Sequence, residues 1–375
     1  MKRHPTPGAA PASRRTSCRP GEHSAPSRRP ERSTNCLPAR RDLPARPTAL
    51  SSKAPLLFMC SLPSSGRLSW TTTPTELRTA IENELGAPVT DAVTPPGGFG
   101  HQLAAALTLT DGRRAFVKAA PEGDSLTTAN LHEATALQHL PPHAPAPALL
   151  GTTQAAGWLA VLFEHLEGAH PDLRPGRDAG EVWALLDKLA SSPASTGYLT
   201  ALPATGDSPT ARLHGWTVLD RVSLPQKAIL LLPRLRELEA AWPALARGGD
   251  RIVHGDLRAD NMVATHRRGV VFVDWAHATH GPAAVDAVSL APQLVLAGHH
   301  PRDTARTLTS HHALATDPAP GLAFLAALTG HWQRNATLPA PPGAPGLRPY
   351  QQRAAAAGLS LLHHLLQEEH GDHTP

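Results

Sequence analysis

Hydrophobic and polar positions follow two different patterns along the chain, and the change lies near residue 166. Before it, strand-like runs at 103–109 and 115–118 flank the turn pair Asp111-Gly112, which predicts a β-hairpin. The other elements predicted in this part are a helix over 75–85, a helix over 127–140 and an apolar strand over 158–164. The predicted order is therefore α-β-β-α-β.

After Gly168 the apolar positions recur mainly at helical spacing. The predicted helices are 179–191, 226–247, 283–297, 303–315, 321–335 and 351–367. Between the second and third of them, short apolar runs predict a small β-hairpin enclosed by helices. We therefore expect an α+β fold with a mixed sub-domain at 73–166, a helical one at 167–368 and a tail at 369–375.

Residues 1–57 are rich in Arg, Pro and Ser and show neither helical nor strand periodicity, so we expect a disordered leader. Residues 1–55 hold 12 Lys and Arg against three acidic residues, so the leader accounts for the net charge of +4. The remainder of the chain is acidic, and we expect no nucleic-acid partner. Translation from Met59 is an alternative start for the protein.

The three cysteines, Cys18, Cys36 and Cys60, all lie in or beside this leader. The expected fold therefore has no thiol for a disulfide, a zinc site or a nucleophile, which fits a reducing cytoplasm. No stretch approaches the ~18 uninterrupted apolar residues of a membrane-spanning helix. We expect a cytoplasmic protein without a membrane partner.

Three polar residues, Asp256, Asn261 and Asp274, each follow or end an apolar run. Four residues separate Asp256 from Asn261 in the sequence H-G-D-L-R-A-D-N, and Asp274 ends the run V-V-F-V-D before Trp275. A loop with this spacing can direct a carboxylate and an amide into one cleft, where the carboxylate of Asp274 can join them. Amide and carboxylate oxygens are ligands that Mg²⁺ prefers.

The pattern H-G-D-x-x-x-x-N, followed by a strand that ends in D-W, resembles the aminoglycoside phosphotransferase-like kinases of small molecules, which include choline kinases. The resemblance covers about residues 75–300. It implies a two-lobed protein-kinase-like fold, with a small antiparallel-sheet N-lobe and a mostly helical C-lobe that carries the catalytic loop and the acceptor site. It also implies transfer of the γ-phosphate of ATP or GTP to a hydroxyl of a small molecule.

The same resemblance implies roles for the polar residues. Asp256 would orient the acceptor hydroxyl and take its proton, and Asn261 with Asp274 would hold Mg²⁺ on the phosphates. Lys118, at the end of the second hairpin strand, would supply a cation to the nucleotide phosphates. Glu133, fifteen residues later, is its expected ion-pair partner, and Glu122 is the alternative.

Two further features are assigned to the nucleotide. The glycines of the turn G-G-F-G, which are Gly97, Gly98 and Gly100, would cover the phosphates with backbone N–H groups, because glycine allows close approach. Glu164 ends the strand over 158–164, in a segment that resembles the linker between the two lobes, where backbone groups would bind adenine.

Neighbouring residues of the motif have structural explanations. We expect His254 to hold the backbone of the loop and Asp260 to be an exposed turn or cap residue. Asp286 resembles the aspartate that braces the catalytic loop in this family, and an ordinary acidic residue at a helix N-terminus explains it equally well.

Two other function classes compete with an active kinase. A nucleotide-binding pseudokinase with a regulatory role would keep the fold and lose turnover, although the polar site residues are all present. A nucleic-acid-binding or metal-binding protein is suggested by the basic leader and by pairs of adjacent histidines. Adjacent histidines on a helix diverge by about 100°, which makes them poor chelates.

The acceptor is the least defined partner. The sequence after Asp274 leaves no room for a long activation segment, and no A-P-E follows, so we expect no protein substrate. Residues 287–375 hold five acidic residues against five arginines, which argues against a strongly cationic acceptor. Glu167, Asp172 and Asp178 are acidic residues elsewhere in the chain that could still contribute to binding one.

Overall fold

The computed structural model describes residues 68–95, 102–341 and 345–371. The expected leader at 1–57 lies outside these residues, and so do the three glycines assigned to nucleotide phosphates, Gly97, Gly98 and Gly100.

A five-stranded antiparallel sheet forms the first part of the described fold. Its strands and the accompanying helices are, in chain order, α1 (Thr75–Leu85), β1 (Val89–Val93), β2 (Leu103–Leu109), β3 (Arg114–Pro121), α2 (Ser125–His139), β4 (Leu149–Ala155) and β5 (Trp158–Glu164). The strand order across the sheet is β1-β2-β3-β5-β4. The predicted hairpin is β2 with β3, in which Ala104 pairs with Lys118.

The position of β5 explains why its sequence is apolar throughout. Leu162 packs in a cluster with Leu77 and Ile81 of α1, whereas Val161 packs in a separate cluster with Ala134 of α2. Successive side chains of a strand point to opposite faces of a sheet. A strand covered on both faces therefore carries apolar residues at consecutive positions and shows no alternation.

The second part of the fold is mainly helical. Its elements are, in chain order, β6 (Gly168–Ala169), α3 (Ala179–Ser191), α4 (Thr196–Ala201), α5 (Gln226–Leu245), β7 (Arg251–Val253), β8 (Met262–Thr265), β9 (Gly269–Phe272), β10 (Thr279–Gly281), α6 (Ala284–Leu296), α7 (Pro301–Ser310), α8 (His312–Thr316), α9 (Pro318–Ala336) and α10 (Leu347–Gly371). The predicted small hairpin is β8 with β9, and β6 extends it, while β10 pairs with β7. Trp242 of α5 and Phe324 of α9 lie fully buried in the core, with ring centroids 4.7 Å apart.

Several observed elements differ from the sequence prediction, among them α4, β6 and β10, which the pattern does not predict. The sequence pattern predicts neither β1 nor β4, which are the edge strands of the sheet. Neither strand contains a fully buried residue, so the apolar signal that identifies the inner strands is missing. The helix predicted over 303–315 is divided into α7 and α8, because the His311 side chain caps the second helix by accepting a hydrogen bond from the backbone of Ala313 at 3.3 Å.

The predicted α+β fold, with an antiparallel-sheet lobe followed by a mostly helical lobe, is confirmed. The chain passes from the sheet to the helical part between the end of β5 at Glu164 and β6. No helix within the described part of the chain combines the length and apolar character needed to cross a bilayer.

Candidate active site

Residues 254–261, which the family resemblance identifies as a catalytic loop and which keep that name below, connect β7 to β8 and end in a short 3-10 turn. Asp286, in the first turn of α6, accepts hydrogen bonds from the backbone N–H groups of His254 at 2.7 Å and Gly255 at 2.9 Å. Gly255 has φ +81°, and a side chain there would collide with the carbonyl oxygen of His277. Of the two explanations for Asp286, the structure shows the brace.

The ring of His254 also holds this loop, as expected. Its Nε2 lies 2.9 Å from the carbonyl oxygen of Val273, and its Nδ1 lies 3.4 Å from the backbone nitrogen of Asp256. Burial lowers the pKa of His254 to about 4, so the ring is neutral. Because a carbonyl oxygen only accepts, Nε2 carries the proton. Burial likewise raises the pKa of Asp286 to about 6, although the two backbone N–H groups oppose the shift.

Asp256 is a buried carboxylate, and only one of its two oxygens has a hydrogen-bond donor among the described residues. The side-chain amide nitrogen of Asn261 donates to its Oδ2 at 3.1 Å and to its backbone oxygen at 2.8 Å. Its other oxygen, Oδ1, is buried and has no hydrogen-bond partner among the described residues. Burial raises the pKa of Asp256, and the guanidinium of Arg258, 3.8 Å from Oδ2, opposes that shift. Oδ1 can therefore accept a hydrogen bond from a bound hydroxyl.

Arg258 is a member of the loop to which sequence reasoning gave no role. Its side chain is 10% exposed and forms an ion pair with Asp260 at 3.0 Å. Asp260 is therefore a partly buried ion-pair partner, not the exposed turn or cap residue expected from the sequence. The available signal was the R-x-D spacing within H-G-D-L-R-A-D-N, where two opposite charges lie two residues apart.

The Lys118 cluster, which consists of Lys118, Glu133 and Asp274, joins three elements. The ammonium of Lys118 on β3 lies 2.6 Å from Oε2 of Glu133 on α2 and 2.8 Å from Oδ1 of Asp274, two residues after β9. The Lys118 and Glu133 side chains are 14% and 3% exposed, whereas that of Asp274 is 44% exposed. The alternative partner, Glu122, is exposed on the surface.

Opposing effects set the charges in this cluster. Burial disfavours the ammonium of Lys118, but Asp274 and Glu133 outweigh it and hold its pKa above the ordinary value. Burial would raise the pKa of Asp274, but Lys118 holds it below the ordinary range. Burial dominates at Glu133 and raises its pKa. The contact between Lys118 and Asp274 is therefore a pair of opposite charges, with the Asp274 carboxylate facing the open side.

The backbone around Asp274 brings the cluster beside the catalytic loop. The N–H of Val273 donates to the carbonyl oxygen of Asn261 at 2.9 Å, so the next residue, Asp274, emerges next to that loop. Asp274 has a left-handed backbone conformation, with φ 65° and ψ 56°, which Asp tolerates better than most residues. The N–H of Trp275 then donates to Glu133 at 3.2 Å. Glu133 thus contacts both the lysine that pairs with Asp274 and the residue that follows Asp274.

The side chain of Glu164 is engaged elsewhere. Its Oε2 accepts a hydrogen bond from the guanidinium of Arg268 at 2.6 Å and another from the backbone N–H of Ala148 at 3.0 Å. Arg268 also donates to the carbonyl oxygen of Ala146 at 2.8 Å. These bonds join the end of β5 to the turn between β8 and β9. The Glu164 side chain is therefore occupied within the protein, and binding of adenine by backbone groups of this segment stays a prediction.

The donor atoms left over suit a hard cation. The amide nitrogen of Asn261 is used by Asp256, so its amide oxygen remains, and Asp274 has a second carboxylate oxygen besides the one on Lys118. The described residues contain no group of three His, Cys, Asp or Glu side chains that could enclose a metal ion. Two oxygen ligands match Mg²⁺, which takes few ligands from protein and retains water and phosphate oxygens.

Comparison with known proteins adds a family match. The sequence profile of the phosphotransferase enzyme family matches residues 93–328. This range includes the Lys118 cluster and the whole catalytic loop. No curated protein sequence matches the chain.

Several solved structures are similar to the chain at low identity. A thermostable mutant of aminoglycoside phosphotransferase APH(4)-Ia in its apo form is 13% identical, with a TM-score of 0.47 over 79% of this chain and 100% of that one. Spectinomycin phosphotransferase APH(9)-Ia, in complex with ADP and spectinomycin, is 8% identical, with a TM-score of 0.46 over 79% and 95%. An aminoglycoside phosphotransferase from Alicyclobacillus acidocaldarius is 15% identical, with a TM-score of 0.43 over 75% and 93%.

Proposed function

The chain belongs to the phosphotransferase enzyme family, and from this premise we propose that it transfers the γ-phosphate of ATP or GTP to a hydroxyl of a small molecule. In this reaction the acceptor oxygen bonds to the γ-phosphorus while the bond to the bridging oxygen breaks. The nucleoside diphosphate leaves, and the hydroxyl proton passes to a carboxylate of the protein.

The unpartnered Oδ1 of Asp256 is the observation that carries the proposal. Burying a carboxylate oxygen without a hydrogen-bond partner costs free energy, so the presence of such an oxygen within the motif needs an explanation. A bound acceptor hydroxyl supplies the missing hydrogen bond and is held in position for transfer. The pKa of Asp256, raised by burial, makes this carboxylate a better proton acceptor than a solvated one. Asn261 fixes its other oxygen and so keeps Oδ1 toward the acceptor.

Lys118 is the proposed phosphate-binding residue. Its ammonium lies against Asp274, whose side chain is the most exposed of the cluster, and is held from behind by the almost fully buried Glu133. Phosphate oxygens that reach the open side can be contacted by the same ammonium, while Glu133 keeps it in place. This arrangement supports a role for Glu133 in positioning and for Lys118 in binding.

Asn261 and Asp274 are the residues that would hold Mg²⁺. When bound there, the metal would neutralise charge on the phosphate oxygens. The chain's own contribution would be an amide oxygen and a carboxylate oxygen from two neighbouring segments, which are joined by the hydrogen bond from the N–H of Val273 to the backbone carbonyl of Asn261.

The two lobes have separate proposed tasks. Residues 73–166 would bind the nucleotide through Lys118, the glycines at 97–100 and the backbone near Glu164. Residues 167–368 would carry the catalytic loop and the acceptor. The connection from Asp274 to α6 is short and consists of a 3-10 turn and β10, which pairs with β7. It offers no long segment for binding a protein, which supports a small acceptor.

Two substitutions that keep shape and remove charge test the proposal. Asp256→Asn should bind Mg²⁺ and nucleotide with near-normal affinity and lose turnover by about 10²–10⁴-fold, the scale of a positioned general base. Asp274→Asn should require more Mg²⁺ and bind nucleotide with an affinity close to the metal-free value. Asp303→Asn, on the exposed side of α7, is the control. Calorimetric titration with and without Mg²⁺ measures the predicted changes in nucleotide and Mg²⁺ affinity.

The outcomes separate the competing functions. A wild-type chain that binds no nucleotide would exclude the kinase. Nucleotide binding without transfer, in a screen over aminoglycosides, macrolides, choline and sugars, would favour the pseudokinase. Loss of nucleotide binding in Asp256→Asn, with normal binding in Asp274→Asn, would reverse the roles of the two aspartates.

A further inference from the structure

An open cleft of about 370 Å³ lies beside the catalytic loop. Ala259, between Asp256 and Asn261, contributes to its lining, which places the cleft next to the proposed base. The opposite walls come from Leu296 near the end of α6 and from Tyr350 in α10. The cleft therefore borders the loop that carries the proposed base, although Asp256 itself does not line it.

The walls of the cleft are fixed to the loop. The side-chain amide of Gln293, on α6, donates to the carbonyl oxygen of Leu257 at 3.0 Å. On the other side, the ring of His299 lies 2.8 Å from the carbonyl oxygen of Leu173, which also lines the cleft. Gln293 therefore joins one wall directly to the catalytic loop, and His299 joins Leu173 to the segment that follows α6.

The lining is largely apolar. Leu173, Leu296 and the ring of Tyr350 present hydrocarbon to the cleft, together with alanine and proline side chains. Leu296 is 39% exposed, although most leucines of the helical lobe are buried. An exposed leucine in a concave site next to a catalytic residue is typical of a surface that a ligand covers.

The acidic residues near the cleft are already paired. Asp172, in the lining, receives hydrogen bonds from Arg174 at 2.6 to 3.1 Å and lies 3.9 Å from Arg177. Asp178 accepts the backbone N–H of Asp172 at 2.8 Å. Glu167 lies 3.9 Å from Arg114. Asp172 is thus paired with an arginine, whereas Asp178 accepts a backbone N–H and Glu167, whose side chain is 86% exposed, lies only at the limit of ion-pair distance.

We propose that the acceptor is a hydroxyl-bearing compound with an apolar face and at most one positive charge, bound in this cleft against Leu296. The inference rests on the proposed function of the same site. A polycationic amino sugar needs several unpaired carboxylates to replace its hydration, and the cleft offers an apolar wall and a carboxylate occupied by Arg174.

The first test compares acceptor classes. Erythromycin, a macrolide with one amine and sugar hydroxyls, and chloramphenicol, a neutral alcohol, are the apolar probes, and kanamycin is the polycationic probe. Binding is titrated by calorimetry in the presence of Mg²⁺ and AMP-PNP, and phosphate transfer is followed with ATP and GTP. We expect at least one apolar probe to bind at least tenfold more tightly than kanamycin.

Two leucine substitutions locate the binding. Leu296→Asp should weaken the apolar probe by about tenfold or more, since it places a charge against an apolar ligand. Leu230→Asp is the matched control, because Leu230 is 71% exposed on α5 and does not line the cleft. Equal effects of the two substitutions on the apolar probe would overturn the proposal.

A third substitution tests whether an unpaired carboxylate in the cleft would increase the affinity for a polycationic acceptor. Arg174→Gln releases the carboxylate of Asp172, and we expect kanamycin to bind about tenfold more tightly than to the wild type. Wild-type protein that prefers kanamycin, or that binds neither probe class, would overturn the inference. Nucleotide binding in the same titrations tests the proposed function separately. Kanamycin preference with nucleotide binding intact would overturn the acceptor class alone.

Discussion

The catalytic loop and the Lys118 cluster lie next to each other but are held in different ways. Backbone N–H groups of the loop donate hydrogen bonds to the buried carboxylate of Asp286 and to the ring of His254. The Lys118 cluster is held by charge between side chains of three elements, and Asp274 remains partly exposed. We therefore expect substitutions that disrupt the loop to reduce stability, and substitutions in the Lys118 cluster to reduce ligand binding.

The largest effect is expected for Asp286→Ala. It leaves the backbone N–H groups of His254 and Gly255 buried without an acceptor, at about 1–3 kcal/mol for each group. We expect a loss of roughly 2–6 kcal/mol in the free energy of unfolding, measured by chemical denaturation, together with loss of turnover. Asp303→Ala removes an exposed acid from the first turn of α7 and should cost less than about 1 kcal/mol. Equal losses would mean that Asp286 acts only as a helix N-terminal charge.

Two glycines with the same φ distinguish the cost of backbone strain from the cost of a steric collision when alanine is introduced. Gly255 and Gly112 both have φ +81°, but a side chain at Gly112 would meet open space, whereas at Gly255 it would meet the carbonyl of His277. Gly112→Ala should therefore cost about 1 kcal/mol in the free energy of unfolding. Gly255→Ala should cost about 3 kcal/mol, since collision adds to strain. Similar costs in the two variants would show that the loop can shift away from His277.

The Lys118 cluster is tested by a double-mutant cycle on nucleotide affinity. Lys118→Ala should weaken binding, and Glu133→Ala should weaken it less, because Glu133 acts through the lysine. The double variant should lose less than the sum of the two, with a coupling of about 1–2 kcal/mol. Lys118→Ala with Glu122→Ala is the control cycle and should be additive. Additive losses in the Glu133 cycle would exclude the partnership.

The smallest net effect is expected for the pH dependence of wild-type stability. The pKa of His254 is about 4 in the folded chain against an ordinary 6.5, so between these values only the unfolded chain binds the proton. Stability from this residue is present above pH 6.5 and is lost as the pH falls toward 4. The pKa of Asp286 is about 6 against an ordinary 3.8, so its contribution has the opposite sign and falls as the pH rises. The two contributions oppose each other in the wild type.

His254→Gln removes one of these contributions and can keep a side-chain donor toward Val273. Between pH 4 and 6.5 its free energy of unfolding should decline with rising pH relative to wild type, by up to about 1.4 kcal/mol per pH unit. Denaturant titrations at a series of pH values measure the slope, which is independent of any constant loss from the substitution. His266→Gln, on the exposed turn after β8, controls for the exchange of residue types. Parallel curves for His254→Gln and wild type would contradict a neutral, buried ring.

The sequence predicted the longer elements that bury several apolar residues and missed short or edge elements. The inner strands β2, β3 and β5 each bury several apolar residues, which distinguishes them from loops. The short elements α4 and β10 were missed although Tyr198 and Thr279 are buried, because so few residues show no periodicity. The edge strands β1 and β4 bury no residue completely, so nothing in their patterns distinguishes them from loops. The periodicity of apolar residues in a sequence reflects which positions are buried. An edge strand forms through backbone hydrogen bonds, which leave no such pattern.

A similar limit applies to the candidate site. Asp256 and Asn261 are separated by a fixed spacing within one loop, so their proximity could be read from the chain. The pairing of Lys118 with Glu133 followed from the family resemblance. The contact of Lys118 with Asp274 spans 156 residues of sequence and depends on how β3 and β9 are placed by the whole fold. The contacts that Glu167, Asp172 and Asp178 make with neighbouring groups likewise depend on the three-dimensional fold, so they could not be predicted from the sequence.

The sharing of Lys118 between two carboxylates fixes the sign of the local electric field. With all three groups ionised, one positive and two negative charges leave the cluster with an excess of one negative charge. An approaching polyphosphate meets repulsion there, and a divalent cation reverses it. Nucleotide and cation should therefore bind as linked ligands, each raising the affinity for the other by the same factor. Lowering the salt concentration should strengthen that linkage, because screening between charges near the open side is reduced.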